Sequence, residues 1–279
     1  MSVTKVRIRR RGILLHAALL FGAAVSLFPF YWTLVMATNS TEDIYRFPPK
    51  LTLGSEFVTN VRNVFDSIDF FGSMLNTLIV ACSVTVLVLF FDSLAAFTFA
   101  KFDFPGRRLL FGILLGTFML PVQLAVIPQF ITMAELGWIG DLKALIIPAA
   151  ANAFGIFWMR QYIKGAIPDD LLDAARIDGA RFFRLYWSVA LPVLRPGLSF
   201  LGIYTFVSTW NDYLWPLIVL TNPDKVTLQV ALSQLNGTHQ LDYSRIVTGA
   251  LLAMFPLVIM FTIFARGFIA DLAKGAFKG

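Results

Sequence analysis

The sequence predicts an all-α membrane protein with six transmembrane helices, and three observations carry that expectation. Of 279 residues, 57% are hydrophobic and only 14% are charged, with a mean hydropathy of +0.72. A soluble domain has roughly 45–50% apolar residues, so lipid is the solvent for much of this chain. Six apolar stretches approach the roughly 20 residues that a helix needs to cross the hydrocarbon core. The Lys and Arg residues between those stretches fall unevenly on the two sides. The runs are continuous rather than alternating, which selects helices over barrel strands, and a helix satisfies every backbone amide within its own segment.

The expected spans are 13–36, 75–99, 109–131, 142–159, 197–220 and 246–268. The first follows a basic start (Lys5, Arg7, Arg9, Arg10, Arg11) and is too long for a secretory signal, with no small-residue cleavage site, so it reads as a retained span. The second carries Cys82 and Asp92, a membrane acid that reads as a structural carboxylate. The third has Gly112 and Gly116 at the GxxxG spacing that predicts close helix packing. The fourth is the shortest. Pro121, Pro128, Pro148, Pro216 and Pro256 lie within or near spans and are expected to interrupt helical hydrogen bonding.

With the N-terminus inside, the outer segments hold Arg46, Lys50, Arg62, Lys143, Lys225 and Arg245, and the remaining 17 of the 23 basic residues are cytoplasmic. That bias puts both termini in the cytoplasm of a multi-pass protein of the cell membrane. The outer segments 37–73 and 221–245 are too short for separate domains, so residues 1–279 read as one transmembrane domain. The long inner connection, 160–196, is amphipathic and charged. It is where a cytoplasmic partner would dock.

Several classes of function are excluded. One cysteine permits neither an internal disulfide nor a cysteine metal cluster. The charge of +6 and the pI of 9.6 come from basic residues scattered between apolar runs, which report topology and not a nucleic-acid partner. His16 and His239 are isolated and read as structural or solvated. No phosphate loop, His-Glu-x-x-His pair or Gly-x-Ser-x-Gly elbow occurs, so no catalytic residues are assigned and any energy source must lie on another chain.

The inner connection has a readable local structure. Pro168, Asp169 and Asp170 suit the first turn of a helix, where carboxylates face the positive end of the dipole. Leu171, Leu172, Ala175 and Ile177 give it a partly apolar surface. Ala174 and Ala175 keep one flank small enough for another backbone to approach, and Gly179 permits a turn with positive φ. A second helical stretch, with Phe182, Phe183 and Tyr186, is expected to end before Pro192.

The run Asp173-Ala174-Ala175-Arg176-Ile177-Asp178-Gly179-Ala180, with Pro192 twelve residues on, resembles the EAA motif of bacterial ABC-importer permeases. Trp210-Asn211-Asp212-Tyr213-Leu214-Trp215-Pro216-Leu217 and the C-terminal Gly275-Ala276-Phe277-Lys278-Gly279 resemble the binding-protein-dependent, carbohydrate-uptake branch of that family. The resemblance covers essentially the whole chain. It implies the MetI-like permease fold, in which the motif forms a cytoplasmic coupling helix seated on a partner ATPase. It also implies import of a di- or oligosaccharide, a second permease subunit, two copies of an ATPase subunit that hold ATP and Mg, and an extracytoplasmic solute-binding protein. Asp173 would take the acidic position, where the family usually has Glu, Ala174 and Ala175 the small ones, and Gly179 the turn.

Polar side chains inside spans face a bundle interior or a watery cavity. The candidates for a translocation path are Asn76, Gln123, Gln129, Asn152, Trp210, Asn211, Asp212 and Tyr213. Amides and a carboxylate would meet sugar hydroxyls, and aromatics would pack on ring faces. Bridging between helices is the competing role for each amide. The outer loop 221–245 could reach a solute-binding protein. Two rivals stay open at this point: an ion-coupled secondary transporter with Asp92 and Asp212 as coupling acids, and a membrane-embedded enzyme lacking any evident catalytic pair.

Overall fold

The computed structural model describes the backbone of residues 3–236 and 242–276, and the side chains of residues 12–236 and 242–262. His239 and the last three residues of the Gly-Ala-Phe-Lys-Gly terminus lie outside the described residues. All regular structure among the described residues is helical, as expected. In chain order the helices are α1 (Val3–Thr38), α2 (Thr41–Tyr45), α3 (Phe57–Ser67), α4 (Phe70–Lys101), α5 (Arg107–Met119), α6 (Val126–Glu135), α7 (Lys143–Ile146), α8 (Ala153–Ala166), α9 (Asp169–Ile177), α10 (Phe182–Arg184), α11 (Leu191–Trp210), α12 (Leu214–Val219), α13 (Leu228–Ser233) and α14 (Tyr243–Ala276). They form two compact units, one from residues 1–69 with 232–254 and the other from 70–231 with 255–279.

In the first unit, α1 carries its most apolar window, within Gly12–Thr38, with none of it buried. Its C-terminal end is fixed instead by polar contacts. Asn60 of α3, 4% exposed, donates to the carbonyls of Ala37 (3.0 Å) and Asn39 (3.1 Å), two of the carbonyls that a helix end leaves without partners. The Ser244 hydroxyl lies 3.2 Å from Asn60 Oδ1, and Thr248 of α14, which donates to Ser244 O (2.7 Å), has its hydroxyl 3.3 Å from Ala37 O. Asp242 gathers hydroxyl donors from Thr41 (2.6 Å) and Ser244 (2.6 Å). Burial pulls its carboxyl upward, but those hydrogen bonds and nearby Arg245 outweigh it and hold the group below its usual range.

The second unit is built around α4, which packs on α8 and α11. Val80, Val84, Val88, Ala96 and Phe97 of α4 share a buried core with Met159 and Ile163 of α8 and with Leu194 and Leu201 of α11. Gly155 of α8 lies against α4 so closely that a Cβ there would run into the Asp92 carboxylate.

Four helical segments among the described residues are long and apolar enough to cross a membrane: Gly12–Thr38, Phe70–Lys101, Phe182–Trp210 and Tyr243–Thr262. They overlap the first, second, fifth and sixth expected spans, but the fifth, 197–220, is not one helix: it stops at Trp210 and a break precedes α12. The third, 109–131, is a pair of helices bent by 95° between Met119 and Val122, a break at Pro121, which has no amide to donate and restrains the residue before it. The fourth, 142–159, is not continuous. The four-residue α7 ends at Ile146, Pro148 sits in the turn, and α8 starts only at Ala153. Pro256 lies inside an unbroken α14.

Two further expectations are corrected. The helix after Gly179 does not stop before Pro192; it runs from Phe182 to Trp210. A π-helical turn over Leu185–Ala190, closed by Leu191 N–H on Tyr186 O, carries the chain into Pro192, whose ring needs no donor there. Gly112 and Gly116 make no close helix contact within this chain, since a Cβ at either would meet nothing within 4 Å.

Candidate functional site

The elbow is α9 and the turn that ends it. Pro168 precedes the helix with extended backbone, Asp169 and Asp170 occupy its first turn, and Arg176 its last, a charge order that complements the helix dipole. Asp178 N–H bonds to Ala174 O (3.2 Å), Gly179 N–H to Arg176 O (2.9 Å) and Ala180 N–H to Ala175 O (2.9 Å). These are the bonds of a left-handed helix stop, and Gly179 supplies its φ of +79°. One residue anchors the helix inward: Leu172 is 1% exposed in the core around Leu185 and Tyr186. Ala175 packs against that core, whereas Asp173, Ala174 and Ile177, the last 88% exposed, face outward. Asp173 pairs with Arg176 at 2.7 Å on this open face.

The elbow is seated on the end of α4. The Lys101 ammonium donates to Ile167 O (2.5 Å) and to Asp169 Oδ1 (2.7 Å). That hydrogen bond and charge hold the Asp169 carboxyl below its usual range. Phe182 packs against Phe97 (6.0 Å between centroids) and Phe102 (5.1 Å), and the Arg176 guanidinium lies 5.5 Å from the Phe102 ring. Deeper in the unit, the Tyr186 hydroxyl and Ser93 share a 2.6 Å hydrogen bond.

A cavity of about 360 Å³ lies elsewhere in the second unit. Its wall includes Val122 and Gln123 from the break between α5 and α6, and Pro148 and Ala149 from the break between α7 and α8. Asp212 comes from the break between α11 and α12, and Leu214 opens α12. Irregular backbone at membrane depth is tolerated only where it is buried in protein or lines a water-filled space. Three helix breaks meeting at one cavity obey that constraint. Gln129, Thr209 and Trp215 add polar and aromatic surface, and the Trp215 indole donates to Ala144 O (3.1 Å).

Of the expected path residues, the cavity brings together Gln123, Gln129 and Asp212. The Asp212 carboxylate lies beside the backbone amides of Tyr213, Leu214 and Trp215 at the turn into α12. The other candidates sit apart. Asn76 donates to Asp224 O (2.9 Å) and Val226 O (3.1 Å), the bridging role. Asn152 caps α8 by accepting from Gly155 N–H (2.8 Å). Trp210 is 0% exposed and stacks on Phe206, Asn211 lines a separate apolar groove with Phe200 and Tyr204, and Tyr213 is outside the cavity wall. Thr77, Thr209, Thr227 and Trp215 line the cavity without having been expected there. Thr209 and Trp215 flank the Trp-Asn-Asp-Tyr cluster, which is the signal that could have found them. Asp92 Oδ1 accepts Asn152 N–H at 3.1 Å, while its buried Oδ2 has no hydrogen-bond partner among the described residues.

Long apolar helices, interrupted helices around a partly polar cavity and an exposed elbow are the features of a multi-pass membrane protein. Residues 59–274 match the family described as the binding-protein-dependent transport system inner membrane component, and the chain belongs to that family. It is 32% identical over 267 residues to the lactose transport system permease protein LacG of Rhizobium radiobacter, covering 96% of this chain and 97% of that one. It is 31% identical over 265 residues to the sn-glycerol-3-phosphate transport system permease protein UgpE of Escherichia coli K12, covering 92% and 94%. Its fold matches a chain in the crystal structure of a bacterial ABC transporter involved in the import of the acidic polysaccharide alginate. That match has a TM-score of 0.77 at 26% identity and covers 92% of this chain and 96% of that one. The chain is therefore a permease subunit of an ABC importer, a transport component and not an enzyme, with ATPase and binding-protein partners. The ion-coupled and enzymatic alternatives fall with that membership.

Proposed function

We propose that the chain is one permease half of an ATP-driven importer of a di- or oligosaccharide, and that α9 is its coupling helix. The observation that carries this reading is the elbow. It presents Ala174, Asp173 and Ile177 outward while Leu172 and Lys101 fix its inner side to the bundle. A second permease subunit completes the pathway, two copies of an ATPase subunit bind ATP and Mg, and an extracytoplasmic protein delivers the cargo. ATP binding turns the path outward and hydrolysis resets it; the required energetic link is a different fit of α9 to closed and open ATPases. The Asp173–Arg176 pair is then a contact that docking exchanges for one with the ATPase.

The chain crosses the membrane six times in this reading, with both termini cytoplasmic, the bent 107–135 pair as the third crossing and 143–166 as the fourth. The cavity of Gln123, Gln129, Thr209, Asp212 and Trp215 lies on the translocation path. The lactose, glycerol 3-phosphate and alginate named for the relatives support a sugar or polyol cargo.

Two measurements test the reading. A cysteine at Ala174 is expected to cross-link to the ATPase in a nucleotide-dependent way, and absence of contact in every nucleotide state of a transport-competent complex overturns the coupling role. Binding-protein-dependent ATPase stimulation, screened against a panel of sugars, is expected to respond to a di- or oligosaccharide. A response to polyol phosphates alone overturns the sugar assignment.

A further inference from the structure

We propose that Lys101 is a positioning residue that locks the α8–α9 joint onto α4, so that α4, α8 and α9 move as one block when α9 is pushed. The inference rests on the reading of α9 as the coupling helix and adds the route by which its motion enters the bundle.

Three observations support it. The Lys101 side chain is only 6% exposed, and its single amine bonds Ile167, the residue that closes α8, and Asp169, the residue that opens α9. A carbonyl at a helix C-terminus has no partner within its helix, and a buried ammonium needs acceptors, so each satisfies the other. Second, the same helix α4 holds the opposite end of α8, where Asp92 accepts the Asn152 amide and the missing side chain of Gly155 lets the two helices meet. The cation at the C-terminus of α8 matches that end of the helix dipole. Third, Arg160 in the middle of α8 donates to Phe99 O of α4 (3.3 Å).

The joint between α8 and α9 is only Ile167 and Pro168, both with extended backbone. The proline ring fixes φ of Pro168 and restricts Ile167, which leaves rotation about the two ψ angles as the way a push on α9 would be lost if nothing bridged the joint. Lys101 bridges it.

The test uses the assembled importer in nanodiscs, in a Cys82→Ser background, with spin labels on Asp170→Cys in α9 and Leu75→Cys near the start of α4. With Lys101 present, the label separation is expected to be the same in the nucleotide-free and the ATP-vanadate-trapped complex. With Lys101→Met, trapping should shift or broaden it by about 5 Å, on the order of one helical turn, while Lys101→Arg retains the wild-type behaviour. A separation that already changes with Lys101 in place, or a Lys101→Met complex indistinguishable from wild type, overturns the proposal. If Lys101→Met does not assemble, Asp169→Asn, which alters an exposed group and spares the Ile167 bond, should give a smaller broadening, and its absence overturns the proposal as well. The Ala174 cross-link is run alongside. Its loss in the wild-type background rejects α9 as the coupling helix, whereas its retention with an unaltered Lys101→Met separation rejects only the lock.

Discussion

At Gly155 the lack of a side chain is what lets α8 reach the Asp92 carboxylate. Gly155→Ala puts a methyl group where that carboxylate is, and overpacking of this kind costs about 1–3 kcal/mol. The expected readout is a lowered thermal midpoint of the detergent-solubilised importer. Gly179 is a different case: nothing lies within 4 Å of its missing Cβ, so space is free and the cost of Gly179→Ala comes from the φ of +79° alone. That cost is about 1–2 kcal/mol. It should appear as loss of the nucleotide-dependent Ala174 cross-link with global stability nearly kept, because the elbow stop, not the core, pays it. Asn60 illustrates a third kind of residue. Asn60→Leu removes the amide donor from the Ala37 and Asn39 carbonyls, and Asn39 O then has no donor among the described residues in its place, at about 1–3 kcal/mol for a buried polar group left unmade. Faster proteolysis of the 40–56 segment is the measurement.

At the scale of elements, the breaks matter more than the helices. Pro121→Ala restores an amide where the chain turns by 95°, so α5 should extend toward α6. Reduced accessibility of a cysteine at Gln123 and loss of transport with intact assembly are expected. For α9, the relevant group is Asp169, whose carboxyl lies below its usual range. Its contribution to docking is complete above the ordinary carboxylate value, declines below it and is gone once pH passes the depressed value. Label mobility at Ile177 should therefore stay constant from neutral pH down to the ordinary carboxylate range and rise only below it. Asp169→Asn should remove that rise. Because Asp169 is 80% exposed, the effect should shrink at high salt.

The same elements explain what the sequence could reveal. Lipid as solvent leaves a long apolar run, so α1, α4, α11 and α14 are legible from hydropathy alone. A window average passes straight over Pro121 and over the 147–152 turn, where turn bonds and the Asp92 carboxylate take the place of helical hydrogen bonds. The elbow was legible residue by residue because its turn chemistry is local. Lys101 counted only as a marker of topology, since its partners lie 66 and 68 positions away. Asn76 and Asn152 were visible as polar residues in apolar runs, but whether an amide meets a cavity or a backbone carbonyl is decided by tertiary neighbours.

For the molecule as a whole, the first helix sets a condition that protein contacts do not. Gly12–Thr38 is 27 residues, about 40 Å of helix at the usual rise, set against a hydrocarbon layer of about 30 Å. None of its most apolar window is buried against the rest of this chain, whereas Val35, Ala37 and Thr38 at its end are buried. It must lean or gather longer lipids around itself, and either adjustment costs fractions of a kcal/mol per Å. Reconstitution into phosphatidylcholines of increasing chain length should therefore relieve the mismatch, with the lean of α1, read by oriented spectroscopy, decreasing as the bilayer thickens. The lipid composition of the host membrane thus becomes a setting of this importer.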